Sequence, residues 1–375
     1  MRFIRPLLSA FAAPLLFVGS GDVATATPIR AAIIALPAMN VPGGSVAMSD
    51  TQLAYTLPDP LLHVNNPNAP FTDFRNRVFL TQLHPAEARR APLSPRLLFS
   101  GPRGAIVTLW SINDGWLVYS QYSGSDPAAP WTLAARNVAT GQALVLDTSA
   151  REGLPSLAAQ AASDGRTVVW QSWTRAQGHP TSIIRSYDLA SGQERIMAEG
   201  GSPSTWSYGW PGVSGRQAVF EKDTPERQTP RAQVLLYNLD TGQTRSLTAA
   251  ADSNSEPSIS GNIVTWKQGW RYGDGHGVTI YNLRTNARRS IAGVHIEQPQ
   301  ATANRYVVFP VDVPARVRLY DAQADTTMTL AGPQSDGYQP GNVVKAGGQA
   351  VGYGLNKFST TTTPNPLRFV VDVLP

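Results

Sequence analysis

Residues 261–292 read GNIVTWKQGWRYGDGHGVTIYNLRTNARRSIA, and the repeat inside this stretch decides the fold. A short apolar strand, Ile263 to Trp266, ends in an aromatic and gives way to a polar, glycine-rich loop. A second strand runs into Tyr281-Asn282-Leu283, a polar turn reverses the chain, and a third strand starts near Ala287. The first strand recurs as LAY ending at Tyr55, LVY at Tyr119, VVW at Trp170, AVF at Phe220, VVF at Phe309 and VGY at Tyr353. Successive aromatics stand 64, 51, 50, 46, 43 and 44 residues apart. A repeat of about 40–50 residues built of strands alone is the period of a propeller blade.

A blade leaves apolar faces that only neighbouring blades can cover. The chain of 375 residues is therefore expected to form one ring over residues 27–375, not the two or three domains that length alone would allow. The 42% hydrophobic content suffices for a core, and 32 Gly with 30 Pro suit many turns. Blade one is expected over about Val41 to Arg96, with a Pro- and Asn-rich surface loop from Pro58 to Arg75. The next five are expected to end near Gly153, Gly200, Ala250, Gly293 and Gly332.

A second signature ends a strand in a polar turn: RNVATGQ (136–142), YDLASGQ (187–193), YNLDTGQ (237–243), YNLRTNA (281–287) and YDAQADT (320–326). Asn or Asp before the turn, with Gly or Asn able to take a positive φ, is hairpin chemistry. A third signature opens blades with small residues, as in Pro211-Gly212-Val213-Ser214-Gly215 and Pro257-Ser258-Ile259-Ser260-Gly261. Such residues suit an innermost strand, where the blades converge on the axis.

Together the three signatures resemble the TolB-like, WD-repeat-like β-propeller family of exported bacterial proteins over about Val41 to Pro375. The separate N-terminal α/β domain of TolB itself has no counterpart in the pattern. The resemblance implies partner binding at the mouth of the ring, but no motif carries TolB's partner-binding residues onto this chain.

Strand counting sharpens the expectation. After Tyr353 only LRFVVDVL (367–374) remains, so the last blade lacks one of its four strands. The isolated apolar strand IRAAIIALPA (29–38) is its natural supplier, and pairing the termini removes an exposed sheet edge. The expected fold is an all-β, seven-bladed propeller of four-stranded antiparallel blades, closed by an N-terminal strand at about 29–37.

Ahead of that strand, Arg2 and Arg5, the apolar run Pro6 to Val18 and the small-x-small site Ala24-Thr25-Ala26 read as a signal peptide over 1–26. The apolar run is shorter than the ~20 residues a spanning helix needs. An exported, soluble protein, periplasmic or extracellular and not membrane-spanning, is the expectation. With no cysteine in the chain, disulfides, lipid-modified cysteine, thiolate metal sites and cysteine nucleophiles are excluded. The net charge of +5 comes from basic residues scattered along the sequence, whereas a nucleic-acid binder is expected to concentrate them on one face, so no nucleic-acid partner is expected.

The repeated aromatics read as core. The aromatics outside the repeat carry the ligand-binding expectation: Trp173, Trp206, Tyr208, Trp210 and Trp270. Trp173 and Trp270, with Tyr122, are expected in loops just past their strands, and such loops gather at one face of a propeller. Large amphipathic rings there can stack on sugars or grip a peptide, or else cover their own loops.

The signs of catalysis are thinner. Glu221, Asp223 and Asp312 follow core aromatics and are candidates for paired carboxylates at the mouth, a requirement of glycosidic chemistry. Asp274, in Asp274-Gly275-His276, is a candidate calcium ligand but lacks the alternating carboxylates of a calcium loop. The five His lack metal-ligand spacing, so no cofactor is expected beyond that calcium candidate. Ser163 to Thr167 reads as a strand-connecting turn, and no Gly-x-Ser-x-Gly elbow is present. Two functions follow: a non-catalytic propeller binding a protein or polysaccharide through loops on one face, or a propeller enzyme of glycoside hydrolase, lyase or lactonase type.

Overall fold

Each of the seven repeated aromatics sits on the second strand of a four-stranded antiparallel sheet, and there are seven such sheets in a ring. The computed structural model describes residues 28–36, 45–58, 75–83, 94–123, 130–152, 160–175, 180–201, 206–224, 231–250, 252–269, 276–293, 298–312, 315–357 and 367–374. The expected signal peptide (1–26), Trp270 and Asp274 lie outside them.

The described chain opens on β1 (Ile29–Leu36). Blade one follows with β2 (Val46–Met48), β3 (Gln52–Pro58), β4 (Asn76–Gln82) and β5 (Arg96–Ser100). Blade two has β6 (Ile106–Asn113), β7 (Trp116–Tyr122), β8 (Trp131–Asn137) and β9 (Ala143–Thr148), then a short helix α1 (Ser149–Glu152). Blade three has β10 (Ala161–Ser163), β11 (Thr167–Thr174), β12 (Thr181–Asp188) and β13 (Glu194–Glu199). Blade four has β14 (Ser207–Ser214), β15 (Gln217–Thr224), β16 (Arg231–Asn238) and β17 (Thr244–Ser246). Blade five has β18 (Asn254–Ser260), β19 (Ile263–Gln268), β20 (Gly277–Asn282) and β21 (Arg288–Ala292). Blade six has β22 (Gln300–Thr302), β23 (Tyr306–Asp312), β24 (Ala315–Asp321) and β25 (Thr326–Ala331). Blade seven has β26 (Tyr338–Gly347), β27 (Ala350–Lys357) and β28 (Leu367–Val373), with β1 as its outermost strand. Blade one thus extends past Arg96, because β5 pairs with β4.

Seven apolar seams between adjacent blades make up the core. Each of the seven repeated aromatics, Tyr55, Tyr119, Trp170, Phe220, Trp266, Phe309 and Tyr353, belongs to a different one and is buried. Burial of each side chain is worth about 1.5–3 kcal/mol. In three of the rings a neighbour satisfies the polar atom: Trp170 Nε1 donates to Asp147 Oδ2 (2.8 Å), Trp266 Nε1 to Asn254 Oδ1 (3.0 Å) and Tyr353 Oη to Asp372 Oδ2 (2.8 Å).

The polar turns behave alike in five blades. Oδ1 of Asn137, Asp188, Asn238, Asn282 and Asp321 accepts the backbone N–H groups two and three residues on. Gly141, Gly192, Gly242, Asn286 and Asp325 then take the positive φ that closes each hairpin.

Candidate functional site

Strand direction alternates within each blade, so the second-to-third-strand loops and the blade-to-blade connections gather at one face. The first-to-second and third-to-fourth turns gather at the other. The innermost strands, β2, β6, β10, β14, β18, β22 and β26, surround the axis and leave a cavity of about 530 Å³. Small residues keep it open: Gly212, Ser214, Ser258 and Ser260 line it, as the third sequence signature requires.

The inner strand edges would offer unpaired N–H groups to the axis, but side chains of neighbouring blades take them. Ser214 Oγ accepts the Gly261 N–H (2.9 Å), Ser258 Oγ the Ala301 N–H (3.1 Å) and Ser260 Oγ the Asn304 N–H (3.1 Å). Toward the loop face the inner strands bulge. Trp210, Glu256 and Gln298 take φ of 48°, 55° and 38° there, and each points its N–H at the preceding blade. The acceptors are Gln160 Oε1 (3.1 Å), Glu221 Oε2 (2.8 Å) and Glu256 Oε2 (2.7 Å), respectively.

This side-chain relay contains the candidate carboxylates. Glu221, 3% exposed, lies beside Asp223 and Glu256, and Glu256 Oε1 accepts from Lys267 Nζ (2.8 Å), which is fully buried. Burial pushes the Glu221 carboxyl well above the usual carboxylate range, and the Asp223 charge pushes the same way. The Glu256 N–H opposes both effects, and the Glu256 charge adds to the rise. Glu221 and Asp223 are therefore brought together as the sequence suggested, but in a seam between blades four and five and not on the cavity wall. The backbone of Asp312 ends β23, and its side chain lies outside the described residues.

The aromatic candidates separate. Trp210 lines the axial cavity together with Trp110, which the sequence reading did not single out. Trp206 sits beneath the Lys222 ammonium, 5.0 Å from its ring centroid. Tyr208 packs edge-on against Phe220 at 5.6 Å and so joins the core. Trp173 and Tyr122 correct an expectation: both lie within strands, β11 and β7, not in the loops beyond. Each strand outlasts its core aromatic by several residues, and an offset of three puts the second ring on the opposite face.

The sequence reading also missed Lys345 on β26, which lines the cavity. The signal was present: VVKAGG places Lys where PGVSG and PSISG place Gly or Ser. Asp164 lines the cavity too, but its carboxylate is engaged: Oδ1 accepts the Arg166 and Thr167 N–H groups, and Oδ2 accepts that of Gly215. This confirms Ser163 to Thr167 as a turn, one that also ties blade three to blade four. No cluster of three metal-ligating side chains occurs among the described residues, nor any helix long and apolar enough to cross a membrane.

No protein-family model and no curated protein matches the sequence. Among solved structures, the β-propeller domain of the trilobed protease from Pyrococcus furiosus matches 87% of this chain and 93% of its own, at 10% identity and a TM-score of 0.56. A prolyl endopeptidase matches 88% of this chain at 14% identity and a TM-score of 0.57. This chain spans only 46% of that enzyme. TolB from Acinetobacter baumannii matches 80% of this chain and 77% of its own, at 14% identity and a TM-score of 0.41. At such identities the first two likenesses show a β-propeller fold, and the TolB-like family remains a resemblance.

Proposed function

We propose that the protein is an exported, non-catalytic binding propeller that engages a protein or polysaccharide through the loop face of the ring and the cavity behind it. One observation carries this reading. Trp110 and Trp210 line an open axial cavity together with the amides of Asn113, Gln160, Gln298 and Gln300. Aromatic faces beside neutral hydrogen-bonding groups are the usual furniture of a pocket that orients a ligand without reacting with it. Export is supported by the N-terminal pattern of basic start, apolar run and small-x-small site.

The enzyme reading has one observation in its favour, the Glu221–Asp223 pair with its raised carboxyl. Against it, Glu221 is buried in a seam and its Oε2 is committed to the Glu256 N–H.

The test is a glycan and peptide array probed with the mature protein, with and without chelator, followed by titration of each hit. Specific retention, weakened about tenfold or more (~1.4 kcal/mol) by Trp210→Ala, is the expected result. Release of cleaved products from a retained probe, abolished by Glu221→Gln, would replace the reading with the enzymatic one.

A further inference from the structure

Lys345 occupies the third rung of its blade's inner hairpin, paired with Gly352. The same rung carries Ser111, Gly212, Ser258 and Gln300 in blades two, four, five and six, so Lys345 is the cation in a layer that is otherwise small or neutral there. Among the described residues it has no carboxylate or hydrogen-bond partner. The contrast with Lys267 is instructive. That buried lysine is matched at 2.8 Å by Glu256, as a structural ammonium must be. Lys345 is unmatched, and burial pushes its ammonium below the usual lysine range.

The surroundings are arranged to donate. Ser214, Ser258 and Ser260 spend their oxygens accepting backbone N–H groups, which leaves their hydroxyl protons to give. Ser111 Oγ has no partner among the described residues. The carboxylate on the wall among the described residues, Asp164, already accepts three backbone N–H groups. Among the described residues the cavity thus offers an unpaired cation and spare donors, while its lining carboxylate is already engaged, a combination that suits an anion. Its volume of about 530 Å³ falls within the ~300–1,000 Å³ of ligand pockets.

A peptide that added a strand to the axis would need a free edge, yet the N–H groups of Trp210, Glu256 and Ala301 on the inner strands, and of Gly261 and Gln298 next to them, are already taken by side chains. What lines the cavity besides these is the Trp210 indole, the Trp110 ring, whose Nε1 donates to Ser120 Oγ (2.6 Å), hydroxyl donors and the Lys345 ammonium. From this we infer that the axial cavity receives a carboxylate-bearing sugar, with Lys345 as counter-ion to the carboxylate and Trp110 and Trp210 as stacking faces. This assignment rests on the binding reading above and names its ligand class.

Calorimetric titration of the mature protein with a uronate trisaccharide, its methyl ester and a peptide ending in a free carboxylate tests it, in wild type, Lys345→Met and Lys345→Arg. Wild type is expected to bind the acid form at least about tenfold more tightly than the ester. Lys345→Met should reduce acid binding to the ester's level without lowering the melting temperature, while Lys345→Arg keeps the preference. Equal binding of acid and ester, acid binding untouched by Lys345→Met, or no sugar binding at all would overturn the inference. Binding of the peptide alone, weakened by Trp210→Ala, would overturn it while leaving the binding propeller standing.

Discussion

Ile34 is the register partner of Phe369 in the last blade, 335 positions away along the chain. The pairing runs antiparallel from Ile29 opposite Val373 to Leu36 opposite Leu367, with one irregularity between Arg30 and Ala32. Phe369 also fills the seam between blades seven and one. The strand that closes the ring is therefore tied directly to a residue that holds two blades together.

Removing residues 29–36 should expose β28 as a bare edge, lowering the melting temperature and promoting aggregation. Phe369→Ala, which leaves the strand in place, should cost about 3–5 kcal/mol by cavity formation. Urea unfolding and light scattering measure both. Unchanged stability after the deletion would mean that closure contributes nothing.

Trp170→Phe retains most of the apolar burial but strands the Asp147 carboxylate, whose Oδ2 loses the indole donor. A loss of about 1–3 kcal/mol is expected for that orphaned acceptor. Trp170→Ala adds a cavity and should cost about 3–5 kcal/mol. Equal stability of Trp170→Phe and wild type would show the hydrogen bond to be dispensable.

Gly242 closes the hairpin between β16 and β17 at a φ of 71°. Alanine there is expected to cost about 1–2 kcal/mol, because Cβ meets the carbonyl oxygen in left-handed backbone. Gly332, whose Cβ would meet open space and whose φ is not positive, is the control, and Gly332→Ala should be close to neutral. Chemical denaturation of the two variants gives the comparison.

Glu221 sets a pH dependence of definite sign. Burial first, and the Asp223 charge next, hold its native pKa above the unfolded value, so the folded state binds the proton more tightly. That contribution is complete below the ordinary carboxylate range and is lost as the pH rises through the native value. Glu221→Gln keeps an acceptor for the Glu256 N–H and removes the titration. It should match wild type near about pH 4 and melt higher near about pH 8. Parallel melting curves for the two proteins across that range would contradict it.

Much of this architecture was legible in residue order because it is written in local chemistry. The aromatic at Trp170 or Phe220 marks a buried second strand, and the Asn238 to Gly242 turn carries its own cap and its own positive φ. The candidate site was legible only in pieces. Trp210 was noticed as an aromatic outside the repeat, yet its partner Trp110 lies 100 residues earlier in another blade. Glu221 and Asp223 were read as mouth groups, but whether a carboxylate near a strand end faces the axis or a seam depends on the neighbouring blade.

The sequence by itself determined the number of blades, the chemistry of their turns and the source of the missing strand, since a period, a turn and an unpaired strand are each encoded within a few residues. Only the tertiary structure decided what stands around the axis. There the inner strands stand side by side, and Lys345 shares a level with Ser111 and Ser258 because the ring curves through a full circle. Spacing along the chain encodes that curvature nowhere, so the chemistry of the cavity emerges only when seven separate strands converge.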